Sequence, residues 1–169
     1  RHLADLAMKG HHLMRYASLA ALLLLSGIAP ALADGPRVPP VDHQATIKEC
    51  AACHMAFPPQ MLPARSWEAL MGDLANHFGE NAQLDAATAA GIRAYLVANA
   101  ADAPANSKSR WMRGINKDDT PLRITETPLW IREHRGEVSP DAFSNPKVGS
   151  KANCKACHAG ADKGYYEDD

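Results

Sequence analysis

Two copies of one five-residue pattern, Cys50-Ala51-Ala52-Cys53-His54 and Cys154-Lys155-Ala156-Cys157-His158, constrain this chain more than any other feature. Between them they use all four cysteines. Cys-x-x-Cys-His is the attachment signature of c-type haem: two thiols take up the porphyrin vinyl groups as thioethers, and the adjacent imidazole becomes the proximal iron ligand. Paired cysteines have other uses. A four-cysteine zinc site needs no histidine after either pair. With eight histidines in 169 residues, chance places one after both pairs on the order of one time in several hundred. A thioredoxin-like redox pair belongs beside a βαβ pattern, which the sequence does not show. Disulfides closing two-residue loops would constrain the unfolded chain little. The spacing therefore predicts two covalent haems, attached at Cys50, Cys53, Cys154 and Cys157, with His54 and His158 as proximal ligands.

The N-terminus points the same way. Lys9 and Arg15 precede an uncharged run from Ala17 to Ala29 centred on four leucines, and Pro30 and Ala31-Leu32-Ala33 follow as a signal-peptidase pattern. Residues 1–33 are read as a signal peptide cleaved before Asp34. Residues 1–7 precede Met8, the first plausible start, with Met14 as the other, and are open to being untranslated. The apolar run is short for a bilayer span, so a retained anchor is the weaker reading and no stable membrane insertion is expected after cleavage. The expected location is the periplasm, where c-type haem is attached in bacteria. The leader carries Arg1, Lys9, Arg15 and Asp5, which leaves 15 basic against 18 acidic side chains, a formal balance of −3. Without a basic tract, nucleic acid is not an expected partner. Aromatic residues are only 6%, so an all-protein core would be modest. Two porphyrins would supply much of the missing apolar volume.

Residues 34–42 read as a Pro-rich linker. A short helix is expected from His43 into the first motif. Pro58, Pro59 and Pro63 then impose a rigid loop suited to lie over a haem. Ser66 to Gly79 is the best-written helix, with Ser66 as cap and Gly79 as stop. Its apolar stripe is Trp67, Leu70, Met71, Leu74 and Phe78, with His77 on the stripe's edge. A second helix runs from Asp85, its cap, to Asn99, with Ile92, Tyr95 and Leu96 as its apolar positions. Ala100 to Asp119 reads as a polar linker between two haem-bearing halves, or a loop across both. Thr127-Pro128 starts a third helix, which sets Trp130 and Ile131 beside His134. Ser139-Pro140 resembles another helix start, and Ser150 would cap a last helix running into Cys154 and Cys157. The expected fold is all-α and cytochrome c-like, with short helices and long loops wrapped around two covalently attached haems in two lobes. The lobes are 34–103 and, with the linker loop, 104–169.

The sixth ligand of each iron decides the role. Methionine raises the reduction potential, a second histidine gives a lower one, and an empty position permits oxygen or peroxide chemistry. Beyond the motifs the mature chain offers His43, His77 and His134, and the methionines Met55, Met61, Met71 and Met112. His77 and His134 lie on inward helical faces and are the preferred pair. His43 reads as a surface residue. Met112 is the main rival, at a spacing typical of single-haem cytochromes c, although Arg110 and Arg113 flank it.

Several segments carry a family resemblance. Ala51 to Pro59, Leu62 to Gly79, Pro121-Leu122-Arg123-Ile124-Thr125-Glu126-Thr127-Pro128 and Glu133-His134-Arg135 resemble the small bacterial dihaem cytochromes c. The resemblance covers nearly all of the mature chain. It implies bis-histidine ligation at both haems, with His77 pairing with His54 and His134 with His158. It also implies redox partners: a small soluble monohaem cytochrome c and a membrane cytochrome b. The expected role is electron transfer, with no catalytic residues. The alternative is a dihaem oxidoreductase such as a peroxidase, with one open iron. Arg65, Arg110, Arg113, Arg123, Arg132 and Arg135 are candidates for pairing with propionates, and Glu167-Asp168-Asp169 could steer a basic partner.

Overall fold

Four short α-helices, α1 (Gln44–Cys50), α2 (Ala64–Gly72), α3 (Ala86–Ala98) and α4 (Pro128–His134), carry the regular structure of the computed structural model, which describes residues 37–166. Irregular chain and 3₁₀ turns join them. Among the described residues there is no strand, only an isolated antiparallel bridge between His77 and Glu80. The expected all-α class is observed. The signal-peptide reading and the acidic Glu167-Asp168-Asp169 end lie outside the described residues.

Local chemistry sets the helix starts. The Asp85 carboxylate accepts a hydrogen bond from the Thr88 backbone N–H at 3.0 Å and caps α3. Thr127 does the same for α4, its hydroxyl oxygen accepting from the Trp130 N–H at 3.4 Å, with Pro128 at the first helical position. The Thr127 hydroxyl also donates to the Ile124 carbonyl at 2.7 Å, which locks the turn ahead of α4. Both starts follow the sequence reading.

Helix α2 does not. It begins at Ala64 behind Pro63, not at Ser66, and ends at Gly72 rather than Gly79. Ser66 is buried within the helix and its hydroxyl has no hydrogen-bond partner. After Asp73 the chain makes a 3₁₀ turn, Leu74–Asn76. His77 and Phe78 thus lie beyond the helix, and Phe78 points outward, 45% exposed. The expected last helix is also replaced: Ser150 accepts from the Ala152 N–H, and the second motif forms a single 3₁₀ turn, Cys154–Ala156. Pro140 likewise opens a 3₁₀ turn, Pro140–Ser144.

α2 and α1 both pack on α3. Ile92 and Leu96 of α3 join Met61, Leu62, Trp67, Trp111, Ile124 and Leu129 in one buried cluster. Each such large apolar side chain contributes about 1.5–3 kcal/mol on burial. Two segments expected as linkers belong to this core. Ala100 and Ala101 are fully buried, and the Ala101 N–H donates to the Leu62 carbonyl at 2.9 Å. Val38 is buried too, and its N–H donates to the Gly164 carbonyl at 3.2 Å.

Candidate cofactor sites

Helix α1 delivers the first motif. It ends at Cys50, and the chain then turns so that the His54 N–H reaches the Cys50 carbonyl at 3.5 Å. The His54 Nδ1–H donates to the Met55 carbonyl at 2.7 Å, which leaves Nε2 facing away as the available ligand atom. Phe57 stacks on the same ring, centroids 4.9 Å apart and planes 21° apart. The loop behind it is fixed by buried Pro58 and Pro59, whose carbonyl at Pro59 accepts from Trp67 Nε1 at 2.8 Å.

Opposite His54 stands His77, at a centroid distance of 6.1 Å and with ring planes 22° apart. Helix α2 leads towards this position, but the 3₁₀ turn and the His77–Glu80 bridge set the final direction. Burial, then His54 and Arg123, push the His77 imidazole below its ordinary range, which favours the neutral form that can bind a metal. Its Nδ1 is buried and has no hydrogen-bond partner.

The second pair is His134 and His158, 6.2 Å apart with planes at 85°. His134 ends α4, where its Nδ1–H donates to the Trp130 carbonyl at 2.8 Å and the Trp130 ring stacks on it at 4.1 Å. The His158 N–H donates to the Cys154 carbonyl at 2.8 Å across the motif turn. Tyr166 meets the His158 ring edge to face at 5.8 Å. Burial pushes the Tyr166 phenol well up, which keeps it protonated.

The two motifs share an asymmetry. In each, the first cysteine is half-buried and the second exposed, and burial pushes the Cys50 and Cys154 thiols up. Among the described residues no group of three or more His, Cys, Asp or Glu side chains converges on a metal-sized site. The four cysteines therefore do not form the tetrahedral centre that zinc would need.

These residues fit two haems. A metal–imidazole bond is about 2.0–2.1 Å and a ligating nitrogen lies about 1.1 Å from its ring centre, so one metal between opposed imidazoles sets the centroids roughly 6 Å apart. Both pairs meet that spacing, each beside its own pair of free thiols.

The rival ligands are otherwise engaged. His43 is half-buried rather than on the surface, stacked on Tyr95 at 4.8 Å and sharing a hydrogen bond with the Thr46 hydroxyl at 2.9 Å. Met61 is buried in the core, and Met71 and Met112 pack against it. Arg65 donates to the Asp119 and Asn116 carbonyls, and Arg110 and Arg132 both pair with Glu133. Sequence reasoning missed Phe57, Phe143 and Tyr166 around the rings. For Phe57 a signal existed in its position three residues after His54, ahead of two prolines.

The comparisons with known proteins point to the same cofactor. The family model described as dihaem cytochrome c matches residues 46–166. A diheme cytochrome c structure from Rhodobacter sphaeroides is 52% identical, covers 75% of this chain and 98% of its own, and superposes with a TM-score of 0.70. Another from the same organism is 50% identical over 73% of this chain and 96% of its own, with a TM-score of 0.62. A diheme cytochrome type c from Shewanella baltica is 38% identical over 73% of this chain and 86% of its own, with a TM-score of 0.60. No curated protein matched the sequence. Two Cys-x-x-Cys-His motifs, a helical fold and these matches lead to one conclusion: the chain belongs to the dihaem cytochrome c family and carries two haem c groups.

Proposed function

We propose that this haem electron-transfer protein closes both irons with two histidines, His54 with His77 and His134 with His158, and works in the periplasm as a carrier rather than an enzyme. The observation that supports this most is the spacing of the two ring pairs, 6.1 and 6.2 Å. Bound haem iron supplies a one-electron ferric–ferrous couple. The chain's own residues do the rest. The four thiols hold the macrocycles to the backbone. The Met55 and Trp130 carbonyls fix His54 and His134 as Nδ1–H tautomers, so each presents Nε2. Phe57 and Trp130 stack on those rings and hold their orientation. Closed irons need no substrate pocket.

Electrons would pass between a membrane cytochrome b and a small soluble monohaem cytochrome c, as the family resemblance implies. Among the described residues no helix is long and apolar enough to cross a membrane.

A redox titration followed by electron paramagnetic resonance tests the ligation. The expected result is two low-spin ferric signals, with His77→Gly and His134→Gly each removing one of them. Stoichiometric binding of carbon monoxide by the reduced, unsubstituted protein would refute closed irons and favour the oxidoreductase alternative.

A further inference from the structure

The four facing imidazoles are not held alike. His54 and His134 are each fixed twice, by a carbonyl bonded to Nδ1 and by an aromatic ring stacked on the face. His77 has neither: its Nδ1 lacks a partner, and the ring against it, Phe78, meets it at 62° with centroids 4.9 Å apart. Yet His77 lies within 22° of parallel to His54, whereas His134 and His158 stand at 85°. Something must set that orientation.

Phe78 is the candidate, and it sits oddly. Among the described residues it is the one non-glycine residue at positive φ, 56°. That left-handed backbone is strained for a side chain of this kind. Nor does the ring recover the cost by burial, being 45% exposed. A strained aromatic residue held open to solvent is a feature to be explained by a task. Its outer face is covered by Arg123, whose guanidinium carbon lies 3.9 Å from the ring centroid. Arg123 is positioned in turn by Glu126, with Nε 3.7 Å from Oε1. It arrives from 45 positions further along the chain, at the start of the 3₁₀ turn Ile124–Glu126. Arg123 over the Phe78 face, and Phe78 edge-on to His77, thus form a chain of contacts that runs from the surface to the first ring pair.

We infer that Phe78 and Arg123 are positioning residues that hold the His77 ring near-parallel to His54. This rests on His77 being an axial ligand, as proposed above. Parallel imidazole planes split the two iron orbitals that accept π donation, whereas perpendicular planes leave them close in energy. The ring angle is therefore read directly in the g values of the ferric low-spin signal. The first pair gives a rhombic signal and the second a strongly anisotropic one with a larger maximum g.

The test uses the holoprotein with both haems attached. Phe78→Asn keeps a residue tolerant of the left-handed backbone and removes the ring. Arg123→Gln removes the covering cation, and Arg123→Lys keeps the charge without the flat face. Both positions of change are exposed, and haem content and melting temperature check that each variant folds. The expected result is a rise in the maximum g of the rhombic signal in all three variants, with the other signal unmoved. Phe78→Tyr, which restores the ring, restores the wild-type value. Phe78→Asn should melt no lower than wild type, since it relieves strain. Superimposable spectra for Phe78→Asn and wild type would overturn the inference. His77→Gly separates the two ideas: if the rhombic signal survives that change, the ligation reading has failed and the inference with it. If the signal vanishes there but ignores Phe78 and Arg123, the inference alone is wrong.

Discussion

Gly164 is where a single methyl group should do most harm. Its φ is +83°, and a Cβ built there runs into the backbone carbonyl of Val38, the residue whose own N–H donates to the Gly164 carbonyl at 3.2 Å. All three nearest atoms, the Val38 carbonyl oxygen and carbon and the Pro40 nitrogen, are main chain, so no side-chain rotation gives relief. Gly164→Ala should therefore cost roughly 1–2 kcal/mol for the left-handed backbone, about 1–3 for overpacking and about 0.5–1.5 for the strained hydrogen bond. Gly136 supplies the control. Its φ is +86°, but nothing lies within 4 Å of a Cβ there, so Gly136→Ala should cost only the backbone share, about 1–2 kcal/mol. The gain from a stiffer unfolded chain is common to both alanines and cancels in the comparison. At about 4 °C per kcal/mol for a domain of this size, Gly164→Ala should melt at least several degrees below Gly136→Ala. The assay is thermal unfolding of the two holoproteins, followed by circular dichroism at matched haem content. Equal melting temperatures would refute the claim that the Val38–Gly164 contact is tight and rigid.

Other expectations are more local. Thr127→Val should lower stability by about 1–2 kcal/mol, because the buried hydroxyl both caps α4 and holds the Ile124 carbonyl; chemical denaturation of the holoprotein measures it. Hydrogen bonds from Thr88 hold the Asp85 carboxyl below its usual range. With the folded pKa depressed, the stabilisation is present above the unfolded value of about 3.9 and is lost as pH falls through the folded one. Asp85→Asn should keep the cap but flatten that acid limb, seen as melting temperatures that converge with wild type as the pH is lowered. Chain produced without haem attachment should lack a cooperative melt, since opposed imidazoles and half-buried thiols leave the rings without a core between them; a sharp calorimetric transition in that material would contradict this.

The chemistry of the sites was more legible in the sequence than their scaffolding. Asp85 and Thr127-Pro128 are strong local signals, and local signals decide helix starts. His134 was placed correctly because a short helix really carries it beside Trp130. His77 ended up facing inward for a different reason from the one its periodicity suggested. The 3.6-residue pattern runs on past Gly72 and Asp73, but the backbone breaks there, and Phe78 turns outward instead of completing the stripe. Ala100 and Ala101 were invisible as core because small side chains carry little periodic signal; their burial comes from tertiary packing against Leu62. The second motif reads as helix in sequence but stops after one 3₁₀ turn. With few residues to propagate it, nucleation there is not recovered.

The ring pairs also differ in sequence reach from the contacts that enclose them. Only 23 positions separate His54 from His77, and 24 separate His134 from His158, whereas the Val38–Gly164 bond spans 126. The entropy of loop closure rises with the logarithm of length. Each ring pair can thus come together within its own short stretch while the chain is still being made from its N-terminal end. The first site can be complete before the second motif has emerged. The long closure then comes last, as a latch on two centres already assembled, so a chain stalled before residue 164 would carry its first centre without the lock that fixes its ends.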